Sequence, residues 1–141
     1  MQFDPNNSII KLCADGMSLE GQGKKEEANN LFQQSWNEAA NDFEKFTAAH
    51  YVARHQQTVE DKLKWDQTAL EFAVKINDHG IKETYPSLYL NLARCYEDLN
   101  DFDNAKKNYE LAVAFTGFLP DDGYGNMIKS GVANGISRVT K

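Results

Sequence analysis

Apolar residues recur three and four positions apart along nearly the whole chain, and no segment of any length alternates with a period of two. That spacing predicts amphipathic helices and no sheet. Asp4-Pro5 reads as an N-cap with proline in the first turn, where its missing N–H costs nothing. The first helix then carries Ile9, Leu12, Cys13, Gly16 and Leu19 until Gly21-Gln22-Gly23 stops it. A second, from about Lys24 to Ala40, places Ala28, Leu31, Phe32, Ser35 and Trp36 on one face. The third, about Asn41 to Gln56, does the same with Phe43, Phe46, Ala49, His50 and Ala53.

Thr58 and Asp61 resemble a capping box for a long fourth helix, kept apolar by Leu63, Leu70, Val74 and Ile76. It is expected to end at Asp78-His79-Gly80, with Gly80 in the left-handed C-terminal position. A fifth helix opens near Thr84-Tyr85-Pro86 and carries Tyr89, Leu92, Ala93 and Tyr96; Asn100-Asp101 turns the chain. The sixth follows with Ala105, Tyr109, Ala112 and Val113. After Pro120 a terminal helix runs from about Asp122 to Arg138, with Ile128, Val132, Ile136 and Val139 in line. Helices joined by such short turns make antiparallel α-α pairs.

The pairs repeat. Leu12, Gly16, Leu19, Ala28, Phe32 and Ser35 fall, 34 residues on, upon Phe46, His50, Ala53, Lys62, Asp66 and Ala69. A further step of 43 reaches Tyr89, Ala93, Tyr96, Ala105, Tyr109 and Ala112. Small residues in matching columns let the two helices of a pair approach closely. The bulky ones fill the space between successive pairs, since no pair buries its apolar face alone.

On these residues the chain resembles the tetratricopeptide repeat family over about residues 9–119. Tyr89, Leu92, Ala93, Tyr96, Phe102, Ala105, Tyr109 and Ala112 nearly complete one unit, with Gly117 where the family usually has proline. The first unit matches through Leu12, Gly16, Leu19, Ala28 and Phe32, with Lys25 replacing an aromatic at the turn. The middle unit departs most: His50 and Lys62 take small-residue positions and Asp66 an aromatic one. The resemblance implies an all-α superhelix in a single domain, 1–141, with units near 9–42, 43–84 and 86–119 and a capping helix near 122–139.

It also implies a concave groove, lined by the first helix of each pair, that holds a peptide or partner protein. Its positions fall on Cys13, Met17 and Glu20, then Thr47, Tyr51, Arg54 and His55, then Ser87, Leu90, Asn91, Arg94 and Glu97. Two of three arginines thus lie on the expected surface, and Arg can fork-bond a carboxylate or stack on an aromatic ring. Tyr51, Arg54, Asn91 and Arg94 are the expected hot spot; simple surface pairing of both arginines is the competing reading. Some family members clamp a C-terminal carboxylate with Lys and Asn. Here Cys13 and Met17 stand at those places in the first unit and only Asn91 matches, so that clamp is not expected.

Composition narrows the choice. With 15 Lys and Arg against 21 Asp and Glu the formal charge is −6, and the basic clusters at Lys24-Lys25, Lys62/Lys64 and Lys106-Lys107 are interleaved with acids. Nucleic acid is not an expected partner. No stretch approaches the length of a membrane span, and Met1 to Asn7 has neither the basic nor the apolar region of a leader, so a cytoplasmic location is expected. Cys13 and Cys95 are read as buried thiols, with a disulfide between them the alternative.

His50 and His55, near Glu44, are five apart, roughly 140° around a helix, and do not make the paired ligands of a metal helix. His79 suits a helix C-terminus. Trp36 and Trp65 are expected to pack between pairs, and Gly131 and Gly135 to admit a neighbouring helix, within the chain or from a second copy. No nucleotide loop, nucleophile elbow or Cys/His pair stands at motif spacing. The expected function is therefore protein binding without catalysis, metal or cofactor. A structural unit dimerising through its C-terminal helix is the alternative, and an enzyme with an unrecognised site a third reading.

Overall fold

In the computed structural model, which describes residues 4–140, seven α-helices and three short 3-10 turns account for the regular structure, and no strand occurs among the described residues. The leader reading of Met1 to Phe3, and the domain limits at 1 and 141, lie outside those residues. The chain divides into two compact units, Met1–Asn77 and Asp78–Lys141, which are described in turn.

The first unit holds α1 (Ser8–Gly21), α2 (Lys25–Glu38), α3 (Asp42–Val52) and α4 (Val59–Ala73). Asn7, not Asp4, opens α1: its Oδ1 accepts from the N–H groups of Ile9 at 2.8 Å and Ile10 at 3.1 Å. Asp4 instead closes a preceding turn, accepting from the Asn6 N–H at 2.9 Å. Gly23, at φ +79°, ends α1; Lys24 N–H reaches Leu19 O at 2.9 Å and Gly23 N–H reaches Glu20 O at 3.0 Å. This double closure satisfies carbonyls that a helix end would leave open.

α1 and α3 run parallel, tied at both ends. Asn7 Nδ2 donates to Glu44 Oε2 at 2.9 Å, while Glu20 holds Arg54 and His55, at sequence separations of 37, 34 and 35. Those separations stay close to the 34-residue repeat step. Between the helices of the first pair, a β-carbon on Gly16 would strike the Phe32 ring. Ala28, Phe32 and Val52 form a buried cluster with Leu19, Trp36, Tyr51 and Trp65 packed against it. Trp36 on α2 meets Trp65 on α4 edge-on at 5.0 Å, packing between pairs as expected.

α4 begins where Thr58 Oγ1 accepts from the Asp61 N–H at 3.1 Å, but it ends at Ala73, short of the expected Asp78. Val74 faces solvent, so no core rewards another turn, and Lys75 and Ile76 close tighter bonds to Phe72 and Ala73.

The second unit opens with a 3-10 turn, His79–Glu83, capped by Asp78 and docking Ile81 into the interior. Gly80 lies inside that turn and is not left-handed; positive φ occurs at Gly23 and Asn100. α5 (Tyr85–Asp98) ends on Asn100, at φ +62°, with Asp101 N–H bonded to Tyr96 O at 2.9 Å. The turn has the form of that at Gly23, 77 residues earlier, which is the sum of the two repeat steps.

α6 (Phe102–Phe115) and, after a 3-10 turn at Thr116–Phe118, α7 (Gly123–Val139) complete the unit. Asp122 caps α7, its Oδ1 accepting from Gly125 N–H at 2.8 Å. Leu90, Ala93, Ala105, Tyr109, Ala112, Leu119, Ile128 and Val132 form the core, flanked by Tyr89, Tyr96, Ile136 and Val139. α7 therefore caps the last pair with the four positions its periodicity marked.

Candidate functional site

Because α1 and α3 run side by side, their outer faces leave a depression of about 120 Å³ lined by Ile10, Cys13, Ala14, Met17, Thr47 and Tyr51. Four of these were expected from the repeat columns. The Thr47 and Cys13 protons on its wall are already engaged. The Thr47 hydroxyl donates to Phe43 O at 2.9 Å, and the Cys13 thiol donates to Ser35 Oγ at 3.6 Å. Burial pushes the Cys13 thiol up, against a smaller pull from Ser35, so it stays neutral. The lining behaves as an apolar surface. Met17, 45% exposed, forms its open lip.

One end of the depression is charged. Glu20 Oε2 accepts from Arg54 Nε at 3.1 Å and lies 2.5 Å from His55 Nε2. The Arg54 guanidinium sits 6.0 Å from the Tyr51 ring centre, while the Tyr51 and His55 rings both stack on Phe32, at 5.2 and 5.8 Å. Met17, Glu20, Thr47, Tyr51, Arg54 and His55 are thus brought together within the first unit. Glu44 braces the other end: hydrogen bonds from Asn7 and from the Ala40 N–H hold its carboxyl below the usual range.

Asn91, Arg94 and Glu97 belong to the second unit, where α7 lies against α5. Glu97 is clasped by Arg138, with Nε to Oε2 at 2.8 Å and a terminal nitrogen to Oε1 at 3.1 Å, and the Tyr109 hydroxyl donates to Oε1 at 2.6 Å. The Arg138 bonds hold the Glu97 carboxyl below its ordinary range, while burial, with the bond to Glu97, pushes the Tyr109 phenol up to about 12. Leu90, expected on the groove, is core instead, set against Gly131 of α7. Ser87 closes on its own helix, its hydroxyl donating to Thr84 O. Arg94 stays exposed beside Glu97, Asp98 and Arg138 around an open polar hollow of about 270 Å³. The four expected hot-spot residues therefore divide, Tyr51 and Arg54 in one unit and Asn91 and Arg94 in the other.

A second polar cluster was not anticipated. His50, Lys62 and Asp66 occupy three columns in which the repeat wants small, small and aromatic side chains. Asp66 is only 2% exposed, and Lys62 Nζ reaches its Oδ2 at 2.6 Å. His50 is partly buried, its Nδ1 enclosed without a hydrogen-bond partner, and its ring meets Tyr51 edge-on at 5.4 Å. Burial lowers the His50 imidazole, Asp66 raises it, and Arg54 and Lys62 lower it further. The signal was in the sequence: three mismatches in one unit, carrying an acid and two bases. Among the described residues no three His, Cys, Asp or Glu gather as a metal site, and no helix is long and apolar enough to cross a membrane.

Residues 86–115 match the tetratricopeptide repeat family, over the unit formed by α5 and α6. The crystal structure of PcrH from Pseudomonas aeruginosa is similar with a TM-score of 0.70, covering 99% of this chain and 97% of that one at 16% identity. At that identity the likeness is one of fold. No curated protein matches the chain in sequence.

Proposed function

As a tetratricopeptide-like helical-repeat protein, matched to that family at residues 86–115, the chain is, we propose, a binding module that holds a segment of a partner protein and performs no catalysis. The observation that carries this reading is the apolar depression between α1 and α3, bordered by the Glu20, Arg54 and His55 cluster. An apolar, partly pre-formed recess with a few convergent polar groups at one end is the ordinary shape of a recognition site. Tyr51 is already stacked on Phe32, so that wall of the recess loses little ordering entropy when a side chain enters.

The test is affinity capture from native lysate with wild type beside Met17→Glu and Arg54→Glu, each checked for an unaltered thermal midpoint. A partner retained by wild type and lost by Met17→Glu supports the reading. Equal retention by all three excludes this face.

Self-association through α7 is a second reading, favoured by Tyr124 and Met127, which stand 48% and 62% exposed near its start. Sedimentation mass decides it: a dimer dispersed by Met127→Glu supports it, and a monomer removes it.

A further inference from the structure

We infer that the groove between α1 and α3 takes a polypeptide segment that carries one aliphatic side chain and, close beside it, a carboxylate received by Arg54. The inference rests on the binding reading above and names the chemistry of the partner.

The aliphatic requirement follows from size and from satisfied polar groups. An apolar cavity of about 150 Å³ accommodates a benzene ring; this recess offers about 120 Å³, room for one leucine, isoleucine or methionine side chain. The protons of the Thr47 hydroxyl and the Cys13 thiol are both used inside the protein, on Phe43 O and Ser35 Oγ. An acceptor side chain seated there would lose water and gain neither of those protons.

The carboxylate requirement follows from how Arg54 is held. Its Nε is engaged by Glu20 at 3.1 Å, which fixes the plane of the guanidinium, and the side chain is 48% exposed. Its two terminal nitrogens carry no hydrogen bond to another described residue, so that edge of the fork is open to a ligand. Glu20 gives one oxygen, Oε2, to both Arg54 and His55, at 3.1 and 2.5 Å, which leaves the cluster richer in donors than in acceptors. A planar, pre-set guanidinium edge is best matched by a bidentate carboxylate. The guanidinium lies 6.0 Å from the Tyr51 ring that walls the recess. About two residues of extended chain or four of helix span that distance, so both groups fit on one short segment.

The chain is acidic overall, at −6, and long-range attraction would not draw an acidic segment to it. The preference must come from this local contact, which makes it separable by a single substitution.

A displayed library of random dodecapeptides, selected on immobilised wild type, Arg54→Gln, Arg54→Glu and Met17→Glu, tests the inference. Wild type is expected to enrich an aliphatic residue with Asp or Glu within four positions. Arg54→Gln should keep the aliphatic residue and lose the acid, and a wild-type-selected peptide should bind it about tenfold more weakly. Arg54→Glu should turn the preference towards Lys or Arg. Aliphatic enrichment that depends on Met17 but shows no acid, or an acid preference that survives Arg54→Gln, overturns this inference and leaves the binding reading intact. A pool unchanged by Met17→Glu, or no binder to wild type, overturns both.

Discussion

The ring of Tyr109 lies against the backbone of Gly135, where any β-carbon would stand. That contact lets α7 close on α6, and the ring cannot give way, because its hydroxyl is fixed by Glu97 at 2.6 Å and Arg138 at 3.2 Å. Gly135→Ala gains about 1 kcal/mol of helix propensity and incurs overpacking of about 1–3 kcal/mol. With an immobile neighbour the second effect wins. Urea unfolding should show a net loss of up to about 2 kcal/mol.

Gly131→Ala, one turn earlier, is the contrast. Its added carbon would meet the flexible end of Arg94 at 3.0 Å and Leu90 Cδ2 at 3.2 Å, and the arginine can swing aside into solvent. The same propensity gain of about 1 kcal/mol is then set only against a small shift of buried Leu90, so the net change is expected between about zero and 1 kcal/mol of stabilisation. Equal losses at the two glycines would refute the fixed-ring explanation.

Stability should depend on pH through His50. Its folded-state affinity for a proton is depressed, chiefly by burial, so the unfolded chain binds more protons at mildly acidic pH. Stability is then complete above the ordinary imidazole range and falls as pH drops through it, by at most about 1.4 kcal/mol per pH unit. Glu44 and Glu97, both held below the usual carboxylate range, contribute stability that disappears only at lower pH. Chemical denaturation of wild type and His50→Gln between about pH 5 and 7.5 checks this: the variant should have the flatter slope.

The His50, Lys62 and Asp66 cluster should behave as a unit. Lys62→Ala takes one partner from a buried carboxylate and should cost about 1–3 kcal/mol, discounted because the lysine is partly exposed. Combining His50→Ala, Lys62→Ala and Asp66→Phe restores the small, small, aromatic pattern and should recover most of that loss. Strict additivity of the three would show that they are not coupled.

The helices and their packing were legible because they rest on volume and period. Gly16, Ala28, Ala93 and Ala105 are buried as the repeat columns require, and Trp36 meets Trp65. Local competition between caps was less legible. Asp4-Pro5 and Asn7 are both good helix starts, and Asn7 prevails by satisfying two N–H groups while bonding Glu44 across to α3. The end of α4 depended on whether Val74 had anything to pack on. Two outcomes were beyond column matching because they depend on a third partner. α7 covers Leu90 and claims Glu97 through Arg138, and Lys62 pairs with Asp66 within electrostatic reach of His50.

The central claim is that the depression beside Met17 receives an apolar side chain from a partner. Nuclear Overhauser effects between the Met17 methyl group and a bound, library-selected peptide measure it directly. Contacts are expected from the peptide's aliphatic residue to Met17, Ile10 and Tyr51. A peptide that binds tightly yet shows its contacts only at other residues would contradict it.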